Sequence, residues 1–278
     1  MNASRIARQV LLAVCLSIMA AGVFAQAQPK KEQFKPEVGQ KGKDVVWVPT
    51  PQSLVEKMLD MAKVTPEDYV IDLGSGDWRT VIAAAKRGAH ALGIEYNPNM
   101  VDLSKSNAAK EGVSDKATFV KADLFASDFS QATVITMFLL PEINLKLRPK
   151  ILDLKPGTRI VSNTFTMEEW EADETTTADK DCSSWCTAYM WIVPAKVEGA
   201  WQLPQGELTL KQEFQMLSGS LKSGSNTASI SDGRMRGDQI SFSAGGAQYT
   251  GRVNGKSIEG TVTSGGNNST WSATRTGK

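Results

Sequence analysis

Histidine occurs once in the 278 residues, at His90, and cysteine three times. Structural zinc sites draw four ligands from cysteine and histidine sets, and this chain does not contain such a set, so no metal is expected. Basic tracts are missing too: Lys and Arg number 31 against 30 Asp and Glu, for a net charge of +1. Without a basic patch, nucleic-acid binding has no electrostatic support. The apolar run Val10 to Phe24 falls short of the roughly 20 residues that span a bilayer comfortably. A third glycine is absent from D-L-G-S-G-D, where Arg79 stands in its place. A dinucleotide fingerprint needs that glycine for close helix–strand packing, so a nicotinamide oxidoreductase is disfavoured.

Arg5 and Arg8 precede the apolar run, and small residues, Ala25 and Ala27, follow it. Residues 1–25 therefore read as a signal peptide, with export to the periplasm or beyond. A retained signal anchor, giving loose membrane association, is the alternative. Cys15 follows the bulky Val14 inside the run and does not mark a lipoprotein. The other two cysteines, Cys182 and Cys186 in D-C-S-S-W-C-T, suit a local disulfide in an oxidising compartment. Residues 26–44 are rich in Lys, Gln, Pro and Gly and read as a flexible lead-in.

The chain is organised around Asp68-Tyr69-Val70-Ile71-Asp72-Leu73-Gly74-Ser75-Gly76-Asp77. Tyr69 to Leu73 predicts a buried strand, Gly74 and Gly76 a sharp turn, and Arg79 onward a helix. Strand, glycine turn and helix open an α/β nucleotide-binding fold. A loop of this form suits a ligand with an amino-acid end and no phosphate, of which S-adenosylmethionine is the common one. Asp72 can fix the turn by accepting backbone N–H groups.

Further strands are expected at Ala91–Glu95, Ala117–Lys121, Thr133–Met137, Thr158–Ser162 and Ala188–Pro194, with helices from Gln52, Asn99 and past Pro141. Their alternation predicts a mostly parallel sheet, helices on both faces, over residues 45–198. Glu95 ends the second strand about twenty residues past the loop, where such folds place a carboxylate on ribose hydroxyls. Asp123 follows the third strand and suits an adenine amino group. Thr175-Thr176-Thr177 reads as surface loop. From about Gly199 the chain turns to Gly, Ser, Thr and Asn with short alternating runs, predicting a small antiparallel domain over 199–278, sandwich or barrel.

D-L-G-S-G-D, G-I-E-Y-N-P and A-D-L-F resemble class I S-adenosylmethionine-dependent methyltransferases. V-P-T-P-Q, F-L-L-P and S-N-T-F narrow the resemblance to small protein-lysine methyltransferases, among them enzymes acting on the ring subunit of ATP synthase. It covers about residues 45–195. The resemblance implies a Rossmann-like fold and a cofactor pocket lined by Asp72, Gly74, Gly76, Glu95 and Asp123, covered by Thr50 and Gln52. It also implies an acceptor channel bordered by Phe138, Leu139, Pro141 and Asn163, and a protein lysine as substrate. The family commonly has glycine where this chain has Trp78, so a large ring is expected near the methionine end of the cofactor. The sequence offers no clear general base: Glu168 and Glu169 are candidates by position only, and solvated loop acids are the favoured reading of both. The competing reading is a catalytically silent exported binding protein whose β domain supplies recognition.

Overall fold

The structure, a computed structural model, describes residues 34–276. The predicted signal peptide and the first part of the lead-in lie outside those residues. Four helices, α1 (Gln52–Met61), α2 (Arg79–Lys86), α3 (Pro98–Lys110) and α4 (Pro141–Leu152), surround a seven-stranded sheet. Its strands are β1 (Tyr69–Leu73), β2 (His90–Glu95), β3 (Ala117–Lys121), β4 (Val134–Met137), β5 (Arg159–Asn163), β6 (Glu174–Thr177) and β7 (Thr187–Ile192). Their order is β3-β2-β1-β4-β5-β7-β6. β1 to β5 are parallel, while β7 runs antiparallel to β5, and β6 pairs antiparallel with β7 at the edge. Thr175–Thr177, expected as loop, thus form an edge strand. Their β-branched side chains suit a half-exposed pleat once β7 offers its free edge.

Side-chain alternation along the strands builds two cores. Val70, Ala91, Val134, Val161 and Met190 face α1, α2 and α3, meeting Leu54, Val55, Met58, Leu59, Val81 and Val101. Ile71, Leu73, Ile135, Ile160 and Trp191 face the other way, onto Ile143, Leu147 and Ile151 of α4. A one-residue slip of any strand would exchange these faces, so the apolar pattern fixes the register. In that register Asp72 lies between Gly93 and Thr136. The order of strands reverses between β1 and β4, and a crevice opens there beyond the strands' carboxyl ends. α3 begins on a proper cap, the Asn97 side chain accepting from the Asn99 N–H at 3.0 Å with Pro98 next.

Eight further strands, β8 (Gly199–Leu203), β9 (Gly206–Glu213), β10 (Met216–Ser223), β11 (Asn226–Arg236), β12 (Gln239–Ala244), β13 (Ala247–Asn254), β14 (Ser257–Ser264) and β15 (Asn267–Arg275), close into a barrel. Trp201, Leu208, Leu210, Met235, Ile240, Phe242 and Ile258 fill it. An interior of this size holds side chains rather than a channel.

The barrel is fastened to the amino end of the parallel strands, away from the crevice. Phe214 stacks on Trp170 at 6.0 Å between centroids, Gln215 Nε2 donates to the Glu171 carbonyl at 2.8 Å, and Arg234 pairs with the buried Asp173 at 2.7 Å. Gly237, at φ +63°, comes so close to the Gly157 backbone that a Cβ there would lie 3.0 Å from its Cα. A recognition module at that end is remote from the crevice's chemistry.

Candidate active site

Gly74 and Gly76 take φ values of +74° and +52°, a region open to glycine at little cost. The turn they make presents main-chain N–H groups to carboxylates. Glu95 Oε2 accepts from the Gly76 N–H at 3.0 Å, and Oε1 accepts from the Asn97 N–H at 2.8 Å. Both oxygens are thereby aimed while each keeps a lone pair for a ligand hydroxyl. Asp72 is buried at the end of β1 and accepts from Thr136 Oγ1 at 2.6 Å. Burial pushes its carboxyl up to about 7, with the Asp77 and Glu95 charges adding to the rise against the Thr136 bond. Asp77 is buried as well, and Arg79 grips it, Nε to Oδ1 at 2.9 Å, while Arg79 Nη1 donates to the Thr50 carbonyl at 2.7 Å. Arg79, which bars a dinucleotide fingerprint, is here a clamp between the glycine loop and the Pro-Thr-Pro turn.

Lys43 Nζ meets Asp123 Oδ2 at 2.5 Å and lies 5.1 Å from the centre of the Tyr96 ring. The Phe125 N–H donates to Asp123 Oδ1 at 2.9 Å. The Lys43 bond, with the Phe125 N–H behind it, holds the Asp123 carboxyl below the usual carboxylate range. Lys43 belongs to a stretch expected to be flexible, and that expectation is corrected for its later part. The Gly39 N–H donates to the Trp47 carbonyl at 2.8 Å, the Trp47 N–H to the Gln40 carbonyl at 2.9 Å, and the Gly42 N–H to the Val45 carbonyl at 2.9 Å. Residues 39–47 so form a tight strap along the crevice, with Trp47 against the open face of Gly76. Composition alone cannot see this, because the strap is held by main-chain bonds and by partners some eighty residues away.

The crevice brings together Thr50, Asp72, Gly74, Gly76, Glu95, Asp123, Phe138 and Leu139 from the sequence-predicted residues. Gln52 is not among the lining residues: it is the first residue of α1, exposed, and its Nε2 donates to Glu56 at 2.9 Å along the helix. Pro141 starts α4 outside the lining, and Asn163 stands behind Thr50, its Nδ2 donating to Thr50 Oγ1 at 3.2 Å. Trp78 does not enter the crevice. Its backbone is left-handed, φ +91°, which turns the ring onto the core shared by α1, α2 and α3. Glu168 and Glu169 lie outside the lining, and Glu169 pairs with Arg148 at 2.7 Å. Sequence reasoning passed over Lys43, Trp47, Ser75 and Asp77; only the run of aromatic and apolar residues before Pro49 hinted at a covering element.

An adenosyl ligand with an amino-acid end fits this donor set. Asp72 and Asp77 are buried carboxylates, and Asp72 in particular has no cation beside it among the described residues, so an ammonium group would relieve it. Ser75 belongs to the crevice wall, and its Oγ, turned toward Gly93, is buried without a hydrogen-bond partner. Ile94, Leu124, Met137 and Leu139 supply apolar surface for a purine between Glu95 and Asp123. Among the described residues no three His, Cys, Asp or Glu converge as metal ligands do.

Comparison with known proteins accords with this geometry. The ANTKMT methyltransferase domain family matches residues 72–174. A protein-lysine N-methyltransferase of Saccharolobus islandicus (strain REY15A) is 41% identical over 152 residues, which are 54% of this chain and 94% of that protein. A human lysine N-methyltransferase named for a subunit of ATP synthase is 35% identical over 131 residues, 47% of this chain and 56% of its own length. A Salinibacter ruber structure, described as an RNA methyltransferase in complex with S-adenosyl-L-homocysteine, shares 43% identity and a TM-score of 0.51 over 54% of this chain and 96% of that one. The relatives lend no support to a catalytically silent binding protein. With S-adenosylmethionine as its cofactor, the chain belongs to the class I methyltransferases, in the family that includes the small protein-lysine N-methyltransferases.

Proposed function

We propose that the enzyme N-methylates a lysine side chain of a protein substrate. The names of the Saccharolobus and human relatives support this acceptor, and so does the surface beside the crevice. The observation that carries it is the apolar mouth: Phe138 and Leu139 line the crevice, and Phe138 lies 6.0 Å, centroid to centroid, from Phe165. An RNA acceptor would call for a positive surface, and the chain's net charge is only +1.

S-adenosylmethionine supplies an electrophilic methyl on a sulfonium. Thr50, Asp72, Gly74, Gly76, Glu95 and Asp123 would hold it, Glu95 accepting from the ribose hydroxyls, Asp123 from the adenine amino group and Asp72 pairing with the ammonium group. Trp47 and the strap, which line the crevice, would cover it and exclude water. Phe138 and Leu139 strip water from the incoming lysine, which lowers its pKa and favours the neutral amine that alone has a lone pair. Placing that lone pair in line with the methyl supplies most of the rate enhancement.

The predicted signal peptide and the Cys182–Cys186 disulfide support an exported enzyme. Fractionating cells that carry the full chain with a C-terminal tag tests this: recovery in the cytosol at full length would refute it. For the acceptor, purified protein is incubated with methyl-labelled cofactor and envelope extract. Methyl-lysine in the acid hydrolysate of the labelled protein is expected, and label in nucleic acid would overturn the reading.

A further inference from the structure

The hairpin between β6 and β7 leaves the sheet at its crevice end, beyond residue 174 where the family match stops. The tip is tied down in several ways. Cys182 and Cys186 are joined, with S–S 2.03 Å, the Ala178 N–H donates to the Cys186 carbonyl at 2.8 Å, and the Thr164 N–H donates to the Thr187 carbonyl at 2.7 Å. Inside the closed loop Trp185 takes φ +60°, a conformation that costs a bulky L residue free energy. The residue is nonetheless 44% exposed, among the few large hydrophobic residues that water reaches. It lies 6.0 Å from Phe138 and 5.7 Å from Phe165, and those two rings are 6.0 Å from each other. A strained backbone that holds an indole at the surface, where burial would stabilise it, calls for a ligand.

We propose that Trp185, presented by the disulfide-closed loop, completes with Phe138 and Phe165 an aromatic seat for the alkyl-ammonium end of the acceptor lysine. The inference rests on lysine as the acceptor and names the residues that grip it. Ring faces attract a cation within about 6 Å of their centres, and they cover the methylenes that lead to it. Phe138 belongs both to this trio and to the crevice lining, so the seat adjoins the methyl-transfer site. The seat receives the side chain as an ammonium and holds the methylated ammonium that each transfer leaves; the nitrogen gives its proton to water at the exposed mouth and enters the drier crevice beside Leu139 as the neutral amine.

The test uses the full protein saturated with S-adenosylhomocysteine and two probes followed by calorimetry. One is Nα-acetyl-Nε-trimethyllysine amide; the other is its uncharged isostere, in which carbon replaces the quaternary nitrogen. The wild type is expected to bind the cation roughly tenfold more tightly than the isostere. Trp185→Ala should erase that preference with S-adenosylhomocysteine affinity unchanged, and Trp185→Phe should keep most of it. The double variant Cys182→Ser/Cys186→Ser should behave like Trp185→Ala. Equal binding of the two probes by the wild type, or a full preference in Trp185→Ala, overturns the seat; a full preference in the double variant overturns the role of the disulfide. Neither readout needs turnover, so a failed lysine-methylation assay shows separately, as missing methyl-lysine.

Discussion

In the sheet domain the buried side chains include Thr50, Asp68, Asp72, Ser75, Asp77, Thr136, Asn144 and Asn163, whereas among the described residues the barrel buries one polar side chain, Gln215. The barrel's interior is Trp201, Leu208, Leu210, Met235, Phe242 and Ile258. Burying a polar group costs free energy unless it is satisfied, and burying a charge costs more. A domain that carries buried carboxylates near its strand ends is less stable than its apolar cores allow, and recovers that loss when a ligand binds. The barrel carries no such burden and has no comparable site. Stability and chemistry are separated along the chain, with Phe214, Gln215 and Arg234 holding the two parts together.

Substitutions in the two parts should therefore fail in different ways. The largest effect on stability is expected for Trp201→Ala, a fully buried barrel residue: about 3–5 kcal/mol in urea unfolding. Cofactor affinity in that variant should stay within about twofold, since the crevice lies at the far end of the sheet. Should affinity collapse with it, the two parts are coupled and the comparison breaks.

Glu95→Ala reverses the pattern. It frees two loop N–H groups and removes the acceptor proposed for the ribose. Calorimetry should show cofactor binding weakened by roughly 10- to 100-fold, with little change in melting temperature. Unchanged affinity would remove Glu95 from the site.

Asp72 sharpens the contrast through pH. Its folded carboxyl titrates at about 7 against an ordinary 3.8. Between those values the ligand-free native state holds a proton that the unfolded chain has released, so stability falls as pH rises through the window. Asp72→Asn should melt higher than wild type at pH 8, with the gap closing below pH 4, and should bind cofactor more weakly. In the wild type, a cationic ligand wants the ionised form. Its affinity should climb toward pH 7, by at most about tenfold per pH unit, and then level off. A flat profile would place the ligand's ammonium group elsewhere.

The smallest effect is expected at Lys43. Its bond to Asp123 lies in water, where such pairs contribute little, so Lys43→Ala should change cofactor affinity by less than about threefold. A larger loss would make the strap itself part of the binding energy.

Much of the crevice was legible in the sequence because its geometry is local. The turn at Gly74 and Gly76 directly follows β1, and Asp72, Glu95 and Asp123 each stand at or just past a strand end, so chain position predicts where they project. Gln52 and Trp78 were misread for want of orientation. Gln52 lies at the start of a helix whose apolar stripe fixes its rotation, and a left-handed backbone at Trp78 turns its ring inward. The strap was missed because its bonds are to main chain and to Asp123 across 80 positions. The trio of Phe138, Phe165 and Trp185 comes from three separate connections and has no spacing to read.

By itself the sequence determined where strands β1 to β5 and β7 lie, through short apolar runs bounded by turn signals, and the line of acids along the strand ends. It also determined that the last eighty or so residues are antiparallel β structure, through turn signals at short intervals. Only the tertiary structure decided that those strands close into a barrel, because closure depends on hydrogen bonds between β8 and β15, some seventy residues apart. It alone decided what faces the crevice mouth, since rings that meet in space share no periodicity along the chain.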